Sequence, residues 1–252
     1  MTTLLRKELR EQWRSYRLLI VAAVLTGMGL LGPLSAKYLP VLLANIPGVP
    51  EGLAAVMPAA DVTMAVGEYL DNIVQFGVIL AVLVPMAAVV GEKTSGTAEI
   101  TLSKPVSRLS FLLSKFLGYG VVFAIGMALA AIGGYYYTGL LFEWLPAGSF
   151  ALLNALVLLY LLVYVAIALL ASTLARSQLA AAGLAVAALV GFGVLGVLPS
   201  VVPYLPATLV GWARAAVLTS GAEPAWRALG SSLSLIVLAV LAAWLILRRQ
   251  EL

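Results

Sequence analysis

From residue 18 onward the chain alternates long apolar runs with short polar clusters. Six intervals carry no Asp, Glu, Lys or Arg: 18–36, 72–91, 116–142, 144–175, 177–213 and 228–247. Each meets or approaches the roughly 20 residues of helix that cross a hydrocarbon core about 30 Å thick. The fifth is long enough to raise the question of a seventh helix, but Pro199, Pro203 and Pro206 break it after about Leu198. The pattern therefore predicts an all-α membrane protein with six transmembrane helices. The apolar but proline-interrupted stretch 199–227 reads as a segment that dips partway into the membrane from the opposite surface.

Ahead of the first run stands MTTLLRKELREQWRSYR, residues 1–17, with five basic residues and two Glu. It is too charged to be a short signal n-region, and the run that follows has no small-residue cleavage site, so the first helix is retained. Basic residues also set the orientation. Arg6, Lys7, Arg10, Arg14, Arg17, Lys93, Lys104, Arg108, Lys115, Arg176, Arg248 and Arg249 all fall on the N-terminal side of the membrane, and only Lys37, Arg214 and Arg227 on the other. The positive-inside rule then places both termini in the cytoplasm. Outside, residues 37–71 form a long loop rich in Pro and Gly with Glu51, Asp61, Glu68 and Asp71, and 140–148 a tight turn around Glu143, Trp144 and Pro146. Trp212, Trp226 and the Tyr135–Tyr137 run supply interface anchors.

Composition narrows the chemistry. Hydrophobic residues make up 63% and charged residues 10%, far below the roughly 25% charged of a soluble domain. Cys and His are absent, which removes disulfides, Cys/His metal sites, haem ligation through those residues and any imidazole-activated nucleophile. The net charge of +4 belongs to membrane topology and not to nucleic acid, since no basic, aromatic-studded soluble domain exists to bind it. Ionisable residues, the usual mark of an ion-coupled transporter, are missing from the six intervals. Asn72, Gln75, Asn154 and Gln178 supply scattered polarity, and Asn154 is expected to hydrogen-bond between helices. Ala130 and Gly134, and in the fifth span Gly183, Gly191, Gly193 and Gly196, permit close helix approach within one chain or across a dimer. Pro33 and Pro85 are packing or kink positions. No two carboxylates share an evident site, so catalysis has little basis.

The connection between the second and third spans is unusual. Residues 91–115, GEKTSGTAEITLSKPVSRLSFLLSK, hold four Lys/Arg and two Glu. Burying four such cations at the bilayer centre would cost on the order of 10 kcal/mol, so the segment stays in water. Val106, Leu109, Leu112, Leu113 and Phe116 recur at helical spacing, with Arg108 and Lys115 on other faces. Pro105 suits the start of that helix and Ser107 serves equally as its N-cap. Gly96 ends or bends a preceding short amphipathic helix. The spacing G-x-x-x-x-G-K-[ST] occurs nowhere in the chain, so any ATP used is bound by another subunit.

The run Gly91-Glu92-Lys93-Thr94-Ser95-Gly96-Thr97-Ala98-Glu99, followed by Leu102-Ser103-Lys104-Pro105-Val106-Ser107-Arg108 and Ser114-Lys115, resembles the E-x3-G-T-x-E…L-L-S-x-P-V-S-R…G-K signature of the permease subunits of ABC-2 type ABC transporters. Ser114 stands where Gly is commoner, and Ile100-Thr101 replaces a usual Leu-Leu. Leu5-Arg6-Lys7-Glu8-Leu9-Arg10 with Arg14 is similar to the family's amphipathic N-terminal helix. Ala171-Ser172-Thr173-Leu174-Ala175-Arg176-Ser177 resembles its second cytoplasmic turn, and Leu247-Arg248-Arg249-Gln250-Glu251-Leu252 its basic C-terminal end.

The resemblance implies that 1–252 is a single transmembrane permease domain pairing, as a homodimer, over two ABC ATP-binding subunits. Residues 91–115 would be the cytoplasmic coupling helix, with Glu92, Gly96, Thr97, Glu99, Pro105, Ser107, Arg108, Lys115 and, from the second turn, Arg176 at the joint. Residues 199–227 would be a re-entrant segment before the sixth helix. It further implies export through the cytoplasmic membrane, ATP and Mg carried only by the partner, no cofactor in this chain, and room for an accessory extracytoplasmic protein. Compact members include the permease of nitrous-oxide-reductase copper-site maturation, the expected subgroup, although a chain with six Met and no Cys or His would not hold copper tightly. Two other readings are the transmembrane coupling component of a vitamin-type importer, which needs two Ala-Arg-Gly contact motifs where Ala175-Arg176-Ser177 supplies one, and a non-transport membrane scaffold.

Overall fold

A computed structural model of the chain describes residues 2–44, 60–97, 103, 106–219 and 221–250. Among these the regular structure is helical: α1 (Thr2–Arg14), α2 (Arg17–Ala44), α3 (Val62–Leu83), α4 (Val90–Thr94), α5 (Arg108–Leu141), α6 (Ala147–Leu174), α7 (Gln178–Leu195), a 3₁₀ turn (Val202–Tyr204), α8 (Ala207–Leu218) and α9 (Trp226–Arg249). Six of them, α2, α3, α5, α6, α7 and α9, are long and apolar enough to cross a membrane.

The charge-free intervals misplace several ends. The first span continues past Lys37 to Ala44, carrying Pro33 within it, and the second begins at Val62, ten residues before the expected start. The long first loop of 37–71 is thus shortened to the stretch around 45–59, which with Glu51 lies outside the described residues. Asp61 starts α3 as an N-cap, its carboxylate accepting the Met64 N–H at 2.8 Å. Glu68 and Asp71 ride on the helix, and Asp71 meets Arg214 at 3.7 Å. At the other end α3 stops at Leu83, not residue 91, because Pro85 breaks the ladder and residues 84–89 run through turns. Ser172 of α6 compensates: its hydroxyl accepts the N–H groups of Val89 and Val90 at 3.0 and 3.1 Å, donors that open α4.

Buried residues place α6 at the centre. Its length from Phe150 through Thr173 is mostly inaccessible, and α3, α5, α7, α8 and α9 pack around it. The expected interhelical role of Asn154 is seen here: its Oδ1 accepts the Tyr69 hydroxyl of α3 at 2.6 Å, and its Nδ2 donates to Phe150 O at 2.9 Å. Small residues bring α2 onto its neighbours. A Cβ at Gly29 would lie 3.1 Å from that of Ala130, and Gly32 lets the backbone of α2 approach that of α3 at Tyr69. By contrast α7 buries only Ala181 and Ala185, and space is open around Gly183, Gly191 and Gly193.

The fifth run divides as its prolines dictate. α7 ends at Leu195, and the 12 residues of α8 span about 18 Å, too short to cross the hydrocarbon. α8 packs on α6 through Leu209 and Ala213, and Trp212 lies against Trp226, ring centroids 5.8 Å apart. The 34 residues of α5 reach about 51 Å, so one end projects well beyond a 30 Å core.

Candidate functional site

Both ends of the described chain meet at one end of the bundle, where α1, α4, the start of α5 and the end of α9 converge. Helix α1 carries 4-residue stripes. Leu4, Glu8 and Gln12 form its buried face, packed on α5 where Gly118 allows close approach: a Cβ there would sit 3.2 Å from the Glu8 Cβ. The expected apolar stripe of α5 is therefore not its packing face. Of Val106, Leu109, Leu112, Leu113 and Phe116 only Leu112 is buried, whereas Phe111, Ser114 and Lys115 are. Lys115 faces inward because two carboxylates wait for it there.

Its side chain is 2% exposed, and Nζ lies 2.8 Å from Glu92 Oε1 and 3.3 Å from Glu8 Oε1. Lys7 adds a second cation 3.1 Å from Glu92. Arg17 reaches Glu11 at 3.4 Å and the Tyr119 hydroxyl at 3.2 Å. The Phe111 ring lies 4.9 Å below the Lys115 ammonium. Contrary to the sequence reading, carboxylates do gather: oxygens of Glu8, Glu11 and Glu92 lie within 4.8 Å of one another. Three cations, Lys7, Arg17 and Lys115, balance them, so the cluster is an ion-pair network joining α1, the start of α2, α4 and α5. A cavity of about 520 Å³ opens beside it, lined by Lys7, Glu11, Arg17, Glu92, Ser95, Thr97 and Gln178.

The two inner carboxylates titrate in opposite directions. Burial pushes the Glu8 carboxyl above its ordinary 4.5, further than Lys115 pulls it down, and Glu92 and Glu11 add to the rise. Burial also acts on Glu92, but Lys115 and Lys7 together hold it below 4.5. The Glu92 contribution to stability is thus present above pH 4.5 and lost as pH falls through its lowered value. That of Glu8 is present below 4.5 and lost as pH rises through its raised value. Melting temperature against pH is expected to lose its acid-side fall in Glu92→Gln and, in Glu8→Gln, the fall that begins above pH 4.5.

A second junction ties in the C-terminal helix. The Arg108 guanidinium donates to Leu247 O and, at 3.0 Å, to Gln250 O, capping the carbonyl end of α9. Lys93 donates to Thr173 O at 2.9 Å and to Gln250 Oε1 at 3.0 Å. Burial pushes the Lys93 ammonium below its usual range.

The candidate joint residues thus separate. Glu92, Arg108 and Lys115 are engaged within the chain. Gly96 takes a left-handed φ of 71° that ends α4, and the Thr97 hydroxyl donates to Glu92 O at 3.3 Å. Ser107 caps α5, its hydroxyl accepting the Ser110 N–H at 3.1 Å. Glu99 and Pro105 lie outside the described residues. Arg176 is exposed in the α6–α7 turn. Sequence reasoning missed Glu8, Gln12, Lys7 and Gln250; Glu8 and Gln12, at i and i+4 beside Leu4, were the one signal, a polar stripe where an amphipathic helix should bury apolar residues.

The ABC-2 family transporter protein profile matches residues 2–211. The chain is also 31% identical to YxlG of Bacillus subtilis (strain 168), an uncharacterized transmembrane protein, over 97% of its own length and 96% of that relative's. Neither comparison supports the nitrous-oxide-reductase maturation subgroup, and that expectation is withdrawn. With six helices among the described residues long and apolar enough to cross a membrane and a match spanning most of its length, this multi-pass membrane protein belongs to the ABC-2 transporter family.

Proposed function

We propose that the chain is the permease subunit of an ATP-driven ABC-2 exporter in the cell membrane, its ion-paired end facing the cytoplasm and resting on separate ATP-binding subunits. The observation that carries this reading is the family match over residues 2–211 in a chain without a phosphate-binding loop. Hydrolysis, with ATP and Mg, belongs to the partner. The docking elements are α4, the segment up to Ser107, and the Arg176 turn. Force on α4 passes through Glu92 to α1 and α5, and through Lys93 and Arg108 to the end of α9, so spans three and six move with the partner. A second copy packs against α7, whose glycines and aliphatic side chains are left open. The short α8 is the re-entrant element at the outer face. An accessory extracytoplasmic protein would meet that face.

Arg176 is the clean probe of the joint, because it is exposed and takes no part in the two junctions. Arg176→Glu is expected to insert and melt as wild type while permease-stimulated ATP hydrolysis by the co-purified subunit falls roughly tenfold, as charge reversal at a docking surface does. Undiminished stimulation would remove the α6–α7 turn from the joint. Purified permease that hydrolysed ATP alone would overturn the division of labour itself.

A further inference from the structure

The faces of α1 not used in the ion-pair network form a second, separate pattern. Turning about the helix from the packed Leu4–Glu8–Gln12 face, the next stripe is Leu5, Leu9 and Trp13, and the next is Arg6, Arg10 and Arg14. The three arginines are exposed, and none takes part in an ion pair among the described residues. An apolar stripe flanked by a basic one is the arrangement of a helix lying in the membrane interface. Trp13 is 73% exposed and Tyr16 68%, the residue types enriched at headgroup level. Tyr16 has a φ of 60°, the left-handed turn by which the chain leaves α1 for α2.

An apolar groove of about 710 Å³ starts under these two rings and runs along α2 and α5, past Ala23, Gly27, Leu30 and Leu129. It holds no acidic or basic side chain. Basic groups on the neighbouring stripe of α1, aromatic rings at its rim and a channel beyond that is apolar but for the Thr26 hydroxyl match one molecule end to end.

We propose that this face is a binding site for an anionic phospholipid: its phosphate on the Arg6–Arg10–Arg14 stripe, its glycerol region by Trp13 and Tyr16, and an acyl chain in the groove between α2 and α5. A second copy of the chain fits less well, because it would set stripes of like charge against each other, and the one carboxylate beside the arginines, Glu11, is already held by Arg17. Zwitterionic lipid fills the groove but gives the arginines no net charge to neutralise.

Gly27 provides a test independent of charge, since a Cβ there meets nothing within 4 Å; Gly27→Leu fills the groove without disturbing packing. The full chain in detergent would be titrated with dioleoyl phosphatidylglycerol or dioleoyl phosphatidylcholine, and bound lipid counted by native mass spectrometry. Wild type is expected to prefer phosphatidylglycerol. Arg10→Gln should weaken it about fivefold, and R6Q/R10Q/R14Q by tenfold or more, with phosphatidylcholine unchanged. Gly27→Leu should weaken both lipids. Equal affinity of wild type for the two lipids, or undiminished phosphatidylglycerol binding in the triple variant, would overturn the site. So would a Gly27→Leu variant that loses a dimer while binding lipid normally, which would give the face to a second copy.

Discussion

Lys115→Met is expected to destabilise the fold by about 3–5 kcal/mol, the effect of stripping one partner from a buried ion pair. The ammonium is 2% exposed and its partner Glu8 equally so, so the Glu8 carboxylate cannot turn to water when it goes. Glu8 would be left pressed against α5 at Gly118 and Glu92 would keep only Lys7. The loss should appear as a lower melting temperature in detergent and as release of α1, measured by proteolysis near the N-terminus. Adding Glu8→Gln should restore part of the stability, because a neutral amide in that place needs no counter-ion. If Lys115→Met melts as wild type and the double variant adds nothing, the network is surface decoration and not a joint.

Gly32→Val should have an effect of similar size through sterics alone. A Cβ at Gly32 would lie 2.5 Å from Tyr69 Cα and 2.6 Å from its N, both backbone atoms, so no side-chain rotation relieves the clash. Helices α2 and α3 must part, and Tyr69 must leave the slot in which its hydroxyl meets Asn154 and its ring lies over Gly134. Overpacking typically costs about 1–3 kcal/mol, and the backbone contact places this substitution at or above the upper end. Gly230→Val, in α9 with nothing within 4 Å, is the matched control and should melt as wild type. Equal melting of the two variants would contradict the close α2–α3 contact.

Length and charge made the six spans legible, since crossing lipid is a property of each helix taken alone. Helix ends were less so. Counting only uncharged residues cut α3 at Asn72, although its first ten residues, Glu68 and Asp71 included, extend the same helix from an Asp61 cap. Pro85 shows the opposite case: apolar residues ran on to Gly91, but the ring ended the helix at once. At the site, periodicity found the helical nature of the segment after Ser107 and chose the wrong face. A face is decided by what packs on it, and Glu8 lies 107 residues away in sequence. Arg108 was marked as an outward contact for the same reason; nothing local announces that the carbonyls of Leu247 and Gln250 will converge on it.

That sequence distance also orders events on the ribosome. Lys115 is made 107 residues after Glu8, on the order of 5–20 s later at ordinary synthesis rates. Throughout that interval α1 has no counter-charge to bury against and must wait at the water boundary while two spans enter the bilayer. The elbow at Tyr16 therefore closes only after the third span begins to emerge, so α1, made before the first two spans, takes its final place after them.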